Sequence, residues 1–378
     1  MVREWDPPYI PRPFPGLTEE PMPDSLKITE IPAEGYERIV RGDDPESGLH
    51  AYIAIHDTTL GPALGGLRMW PYATGEDALF DVKRLSKGMT YKSAVAHTGL
   101  GGGKAVIIGD PKKDKSEALY LSMGRLIDSL GGTYITAEDV NTSVEDLAIV
   151  RRATRWVTGL SREDGGSGNP SPYTALGVFL GIRAALDRVF GSDDPEGRRI
   201  AIQGVGAVGS SLARRLVEAG AEVHAADKNR DRLESLRKEI GILPISEQQV
   251  LTMECDVFAP CALGAVLDDR TVPALNCRIV AGAANNLLLE PRHGKMLADR
   301  GILYAPDYVI NAGGIINVGV EFAEGGYDEK LALDKIERIP AALRELWDIA
   351  EQQKIPPSDA ADHLAERILE EGRSAKKQ

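Results

Sequence analysis

Cysteine is scarce in this chain: Cys255, Cys261 and Cys277 are the only three in 378 residues, and no two stand in CxxC spacing. That is too few for a disulfide framework in a chain of this length, so they read as reduced thiols of a cytoplasmic protein. The six histidines fall in neither HxH nor HExxH spacing, and no metal site is expected. No serine occupies a Gly-x-Ser-x-Gly elbow, which leaves triad hydrolase chemistry without support. No stretch approaches the roughly 18 apolar residues that span a bilayer. The start, Met1 to Pro8, lacks the apolar run of a signal peptide. Positive charge is also in deficit, 44 basic against 57 acidic residues for a net charge of −13. A generic basic surface for nucleic acid or anionic membrane is therefore not expected. What remains is a soluble protein with a small-molecule substrate.

The length suggests two domains at the usual prior of roughly 150 residues each. Seven prolines within residues 1 to 30 exclude a continuous helix there and predict an extended or disordered segment. Beyond it, Ala51–His56 reads as a strand. A helix from Glu76 to about Ala96 follows, with Ala78, Val82, Leu85 and Met89 at helical spacing. Lys92, seven residues after Leu85, falls about 20° from it around the helix and so projects from the apolar face, while Lys83 and Lys87 point away. Gly101-Gly102-Gly103 then leads into Lys104 at the start of a strand, Ala105–Ile108. A phosphate-binding P-loop is excluded, because Thr98 replaces its first glycine, Ala105 its hydroxyl residue, and a strand its helix. Ser116–Leu130 reads as a helix, Thr133–Thr136 as a strand running into Asp139, and Thr142 with Glu145 as a capping box.

The second half has βαβ grammar. After a helix from Thr174 to Phe190 and a charged Gly-rich linker, the strand Arg199–Gln203 runs into Gly204-Val205-Gly206-Ala207-Val208-Gly209, then a helix, then a strand ending at Asp227. Gly204 suits the tight turn, Gly206 a close approach to pyrophosphate, and Gly209 close helix packing. Asp227 stands where a carboxylate accepts from ribose hydroxyls and repels a 2′-phosphate, which favours NAD; Lys228 and Arg230 directly after it leave the NADP alternative open. Apolar runs at Val257–Ala259, Arg278–Ala281 and Ile302–Ala305 predict further strands of a doubly wound parallel sheet, and Leu331–Glu371 is helical by composition.

Taken singly, Lys92 is also a snorkelling surface lysine, Lys104 a solvated one and Asp139 a turn acid. Their combination is more specific. With Gly61-Pro-Ala-Leu-Gly-Gly-Leu-Arg-Met69, Ala137-Glu-Asp-Val140, Gly168-Asn-Pro-Ser-Pro172, Ala259-Pro-Cys-Ala-Leu-Gly264, Ala283-Ala-Asn-Asn286 and Tyr304-Ala-Pro-Asp-Tyr-Val-Ile-Asn-Ala-Gly-Gly314, the chain from about residue 33 to 370 resembles the leucine/phenylalanine/valine dehydrogenase family.

That resemblance implies an α/β protein of two domains with a cleft between them. A substrate domain (33–165, plus C-terminal helices about 340–378) would follow a proline-rich extension (1–32) and face a Rossmann-type NAD domain (166–339). It also implies a homo-oligomer. The implied reaction is reversible oxidative deamination of an L-amino acid to a 2-oxoacid, NADH and ammonia. Lys92 would anchor the substrate carboxylate, Lys104 would be the general base that activates water, and Asp139 would exchange protons with the amine. Gly65, Gly66, Met89 and Asn286 would line the substrate. Thr174, Cys261, Ala262, Asn285 and Asn311 would join the glycine loop and Asp227 in holding the cofactor. The side-chain pocket would comprise Leu64, Ala137, Ile315 and Val318, all aliphatic. Glutamate dehydrogenases carry a lysine where Leu64 stands, so a buried side-chain carboxylate would lack a partner here. Ala137, where phenylalanine dehydrogenases tend to have glycine, points to leucine, valine and isoleucine. The alternatives are a phenylalanine dehydrogenase and a catalytically silent NAD-binding regulatory protein.

Overall fold

The structure is a computed structural model that describes residues 24–163, 165–262, 264–323 and 325–376. The proline-rich extension up to residue 23 lies outside the described residues. Two compact units emerge. The first contains the chain up to Asn169, Asn317–Leu331 and the segment from Ile368; the second contains Pro170–Ile316 and Ala332–Arg367. The C-terminal helices, expected with the first unit, thus divide: their larger part groups with the second, where the helix Ile339–Gln353 packs on an internal helix of that unit.

The first unit is built on a six-stranded mixed sheet of β1 (Lys27–Glu30), β2 (Arg38–Asp44), β3 (Leu49–Asp57), β4 (Ala63–Trp70), β5 (Gly101–Ile108) and β6 (Tyr134–Glu138). Their order is β1-β2-β3-β5-β4-β6, and β4 runs parallel to both of its neighbours. The end of the proline-rich segment is therefore an edge strand, β1, paired antiparallel with β2. The helices α1 (Gly75–Val95), α2 (Glu117–Asp128) and α3 (Val144–Arg151) belong to this unit, together with the end of the helix Pro357–Ala375.

Three sequence expectations are corrected here. The glycine triplet is not an approach to the strand but its interior, so Lys104 is the fourth residue of β5. A β-carbon on Gly102 would fall 2.0 Å from the Thr90 backbone nitrogen on α1, and one on Gly103 2.7 Å from the Tyr134 ring. The glycines are there because α1 and β6 press against β5 at van der Waals distance. The same close approach rotates α1: its buried face runs through Ala78, Val82, Ser86, Thr90 and Ser93, whereas Leu85 and Met89 are only half-buried. Lys92 is likewise half-buried, on the flank with Leu85 rather than on the most buried face. The capping box at α3 is also displaced by one residue, to Ser143 and Asp146. Thr142 has been drawn elsewhere, donating to the Leu67 carbonyl at 2.8 Å.

In the second unit, α4 (Ser171–Phe190) precedes β7 (Arg199–Gln203), α5 (Ala207–Glu218), β8 (Glu222–Ala226) and α6 (Arg230–Ile240). A two-residue strand absent from the sequence reading, β9 (Leu243–Pro244), extends the edge; β10 (Val257–Pro260), β11 (Ile279–Val280) and β12 (Leu303–Tyr304) complete the sheet. All pairs are parallel, in the order β12-β11-β10-β7-β8-β9. The order reverses between β7 and β10, the switch point at which a doubly wound sheet opens a crevice beyond its strand ends. Phe258, Val280, Leu287, Leu297 and Tyr304 form the core on one side, with Cys255 and Cys277 buried among them. All three cysteines are free, and burial pushes the Cys277 thiol up to about 11 and those of Cys255 and Cys261 to about 12.

Candidate active site

In the first unit, register decides what can meet. Gly66 on β4 lies opposite Ala137 on β6, and Leu67 opposite Ala105 on β5, so Lys104, Gly66 and Ala137 stand level across three strands. Asp139 follows the end of β6. The Lys104 ammonium reaches the Asp139 Oδ2 at 2.8 Å across β4, where the intervening residues are Gly65 and Gly66. No side chain fits there: a β-carbon on Gly66 would fall 2.6 Å from that of Asp139, and one on Gly65 1.7 Å from the Gly103 carbonyl oxygen. Tyr134, fully buried by β6, donates to the Gly65 carbonyl at 2.6 Å and fixes the glycine pair from below.

Lys104 is 5% exposed, so its charge is desolvated and needs the carboxylate. Burial works against ionisation of Asp139, but the charges of Lys104 and Arg68 outweigh it and hold the carboxyl below the usual carboxylate range. Arg68 donates from Nε to the same Oδ2 at 3.0 Å and from Nη1 to Asp81 at 2.9 Å. Tyr72 donates to Asp81 as well, at 2.6 Å. The backbone N–H of Asp139 donates to the Thr142 hydroxyl at 3.1 Å. Sequence reasoning missed Arg68, Asp81, Tyr72, Tyr134 and Thr142. Arg68 alone carried a signal: in a strand it shares a face with Gly66, two residues before it.

Leu64, Gly65, Gly66, Met89, Lys92, Lys104, Ala137, Asp139 and Val318 all fall in the first unit. Leu64 is 1% exposed on β4, and the Val318 carbonyl accepts from the Thr158 hydroxyl at 3.0 Å. Ile315 belongs to the second unit with Asn286 and the candidate cofactor residues.

In that unit Gly204 takes φ +95°, open to glycine at little cost, and a β-carbon there would meet that of Ala262 at 2.6 Å. One on Gly209 would strike the Gly204 carbonyl oxygen at 2.0 Å, whereas Gly206 faces open space, its nearest atom 4.0 Å away. Helix α5 begins after Gly206 with no side-chain cap, leaving its first N–H groups directed at that space. The loop therefore fits a dinucleotide pyrophosphate. Asp227 is already engaged, accepting from the Val205 N–H at 2.7 Å and the Asn229 N–H at 2.7 Å, so it also shapes the glycine turn. Further along the strand ends, the Cys261 N–H donates to the Gln203 carbonyl at 2.7 Å. Asn311 donates to the Ala283 carbonyl at 3.0 Å and to the Asn285 side chain at 2.8 Å, and Asn286 is held at φ +52°. Thr174 lies in the first turn of α4, packed against Gly314. Among the described residues no group of three or more His, Cys, Asp or Glu could hold a metal ion, and no helix is long and apolar enough to cross a membrane.

A parallel sheet with an anion-ready glycine loop, in a chain that also pairs a buried lysine with a carboxylate, defines a nicotinamide-dependent α/β dehydrogenase. More narrowly, the chain belongs to the family of Glu/Leu/Phe/Val dehydrogenases: residues 37–156 match its dimerisation domain, and residues 165–233 and 223–372 match the Glutamate/Leucine/Phenylalanine/Valine dehydrogenase domain. It is 51% identical to the leucine dehydrogenase of Thermoactinomyces intermedius, over 89% of this chain and 91% of that one. It is 47% identical to the valine dehydrogenase of Streptomyces virginiae, over 90% and 95%. The solved structure of L-tryptophan dehydrogenase from Nostoc punctiforme superposes with a TM-score of 0.80 at 41% identity, covering 90% of this chain and 97% of that one.

Proposed function

We propose that this protein catalyses the reversible oxidative deamination of branched-chain L-amino acids with NAD, releasing a 2-oxoacid and ammonia. The observation that carries the reading is the buried Lys104 meeting the half-buried Asp139 over Gly65 and Gly66 at 2.8 Å. The cofactor, when bound, accepts the hydride from the substrate Cα. Lys92 serves as the point charge for the substrate carboxylate. Lys104 removes a proton from the water that attacks the iminium, and Asp139 passes a proton to and from the nitrogen. Gly204 to Gly209 and the uncapped start of α5 hold the pyrophosphate, with Thr174, Cys261, Ala262, Asn285 and Asn311 around the nicotinamide. Asp227 favours NAD over NADP, since a 2′-phosphate would meet a carboxylate.

Leucine, valine and isoleucine are favoured because Leu64, Ala137, Ile315 and Val318 offer no polar group, and because the leucine and valine dehydrogenases are about half identical to this chain. The likeness to a tryptophan dehydrogenase favours an aromatic substrate as the second reading. By the same family argument the protein works as a homo-oligomer.

The test is a panel of L-amino acids assayed with NAD and with NADP, on wild type, Lys104→Ala and Lys92→Ala. Branched-chain substrates with NAD should lead, with glutamate at background. Lys104→Ala should bind NADH yet lose about 10²- to 10⁴-fold in turnover, and Lys92→Ala should mainly raise KM. Turnover of Lys104→Ala within a few-fold of wild type sinks the site, and preference for an aromatic substrate sinks the pocket.

A further inference from the structure

The Asp139 carboxylate faces a difficulty that Lys104 cannot solve alone. To act as a base, Lys104 must be a neutral amine, and at that moment the half-buried carboxylate, 21% exposed, loses the cation beside it. A carboxylate without a partner in this environment takes up a proton or turns toward water. The second cation on the same oxygen is Arg68, whose guanidinium stays charged at every working pH.

We propose that Arg68 is the positioning residue of this site: clamped between Asp81 and Asp139, it keeps Asp139 an oriented carboxylate while the proton on Lys104 comes and goes. The inference rests on Lys104 and Asp139 being the reacting pair. Arg68 neither gives nor takes a proton and does not touch the substrate; it acts through Asp139.

The geometry supplies both charge and direction. Nε donates to Asp139 at 3.0 Å and Nη1 to Asp81 at 2.9 Å, so the fork spans two carboxylates and cannot swing. Asp81 is anchored in turn, with Tyr72 donating to its Oδ2 at 2.6 Å and Arg84 at 2.8 Å from its Oδ1. The Arg68 side chain is 18% exposed, which leaves the pair weakly screened. Strand β4 aims it: Arg68 follows Gly66 by two residues and so lies on the face across which Lys104 reaches. A lysine at this position, one point charge on a flexible stem, could keep the charge but not bridge both carboxylates.

The experiment uses the full-length enzyme and reads the pH profile of kcat/KM for deamination. Lys104→Ala is the control for the underlying site. Arg68→Gln removes the charge but keeps an amide donor. Without a positive charge beside it, the coupled Lys104–Asp139 pair releases its protons at higher pH, so the limb on which activity rises should move up by about one pH unit or more. Arg68→Lys should return that limb to within a few tenths of a unit of wild type while kcat stays at least about tenfold low, because Asp139 is no longer held. An unshifted limb in Arg68→Gln, with Lys104→Ala inactive, overturns the inference. So does a limb in Arg68→Lys displaced by about one pH unit or more from that of wild type, a comparison that stands even if the glutamine variant fails to fold. If Lys104→Ala itself remains active, the fault lies with the reading of the pair.

Discussion

Replacing Gly65 by alanine probes how tightly the reacting pair is built into the sheet. The added methyl carbon would sit 1.7 Å from the Gly103 carbonyl oxygen, 2.6 Å from its carbon and 3.2 Å from the Lys104 nitrogen. All three are backbone atoms, so no rotamer relieves the clash. Restoring ordinary contact requires β4 and β5 to part locally by roughly 1.5 Å. Gly103 directly precedes Lys104, whereas Asp139 is tied to β4 through the Thr142 hydroxyl, which donates to the Leu67 carbonyl. The displacement therefore enters the 2.8 Å Lys104–Asp139 distance itself. Overpacking of this kind costs about 1–3 kcal/mol, and a misplacement of about 1 Å in a reacting group costs about 10²-fold in rate. Gly65→Ala should thus melt lower, bind NADH as wild type does, and lose about two powers of ten in kcat/KM. Gly88→Ala in α1 is the matched control: its β-carbon meets nothing within 4 Å, and it should gain about 0.5–1 kcal/mol with full activity. A Gly65→Ala enzyme with wild-type melting and kcat/KM within threefold of wild type would refute the reasoning.

Two predictions concern stability. Trp347, 2% exposed, donates to the Tyr304 carbonyl at 3.0 Å, so Trp347→Phe leaves a buried acceptor orphaned beside a small void and should cost about 2–4 kcal/mol by urea denaturation; a loss below about 0.5 kcal/mol would contradict this. Burial opposes ionisation of Asp57, but Thr59 and Arg373 outweigh it and depress its folded pKa. Its stabilisation is therefore complete above the unfolded carboxyl value of about 4 and is lost as pH falls through the folded value. Urea midpoints of Asp57→Asn should be lower than wild type at neutral pH and converge with it below about pH 4, and parallel curves would exclude the linkage.

The second unit was largely legible because its signals are local. Gly204, Gly206 and Gly209 answer backbone demands within six residues of one another, and strand, turn and helix follow in sequence. In the first unit, resemblance pointed to Lys104 and Asp139 as candidates, but spacing could not reach Arg68, Asp81 and Tyr72, whose contacts join β4, α1 and the turn after β6. Gly101 to Gly103 misled for a physical reason: a missing side chain signals close approach without saying whether a ligand or the protein itself approaches, and here the Thr90 backbone and the Tyr134 ring do. The buried face of α1 was misplaced on the same account, since Thr90 meets Gly102 and lies on a buried face with the small Ser86 and Ser93, while Leu85 and Met89 are only half-buried. Thr142 and Ser143 are both capable helix caps, and only the Leu67 carbonyl, far away in sequence, decides between them.

The first unit draws on three separate stretches of chain, the last beginning at Ile368. During synthesis, most of its sheet leaves the ribosome early, yet Arg373 must still arrive to meet Asp57 at 2.7 Å, and the helix backbone at Gly372 to cover Leu60. A nascent chain that has already formed β3 and β4 therefore waits through about 300 residues, on the order of half a minute at roughly 5–20 residues per second, with the turn between those strands uncovered. Arrest of translation, or proteolytic trimming within the last helix, would expose the same turn.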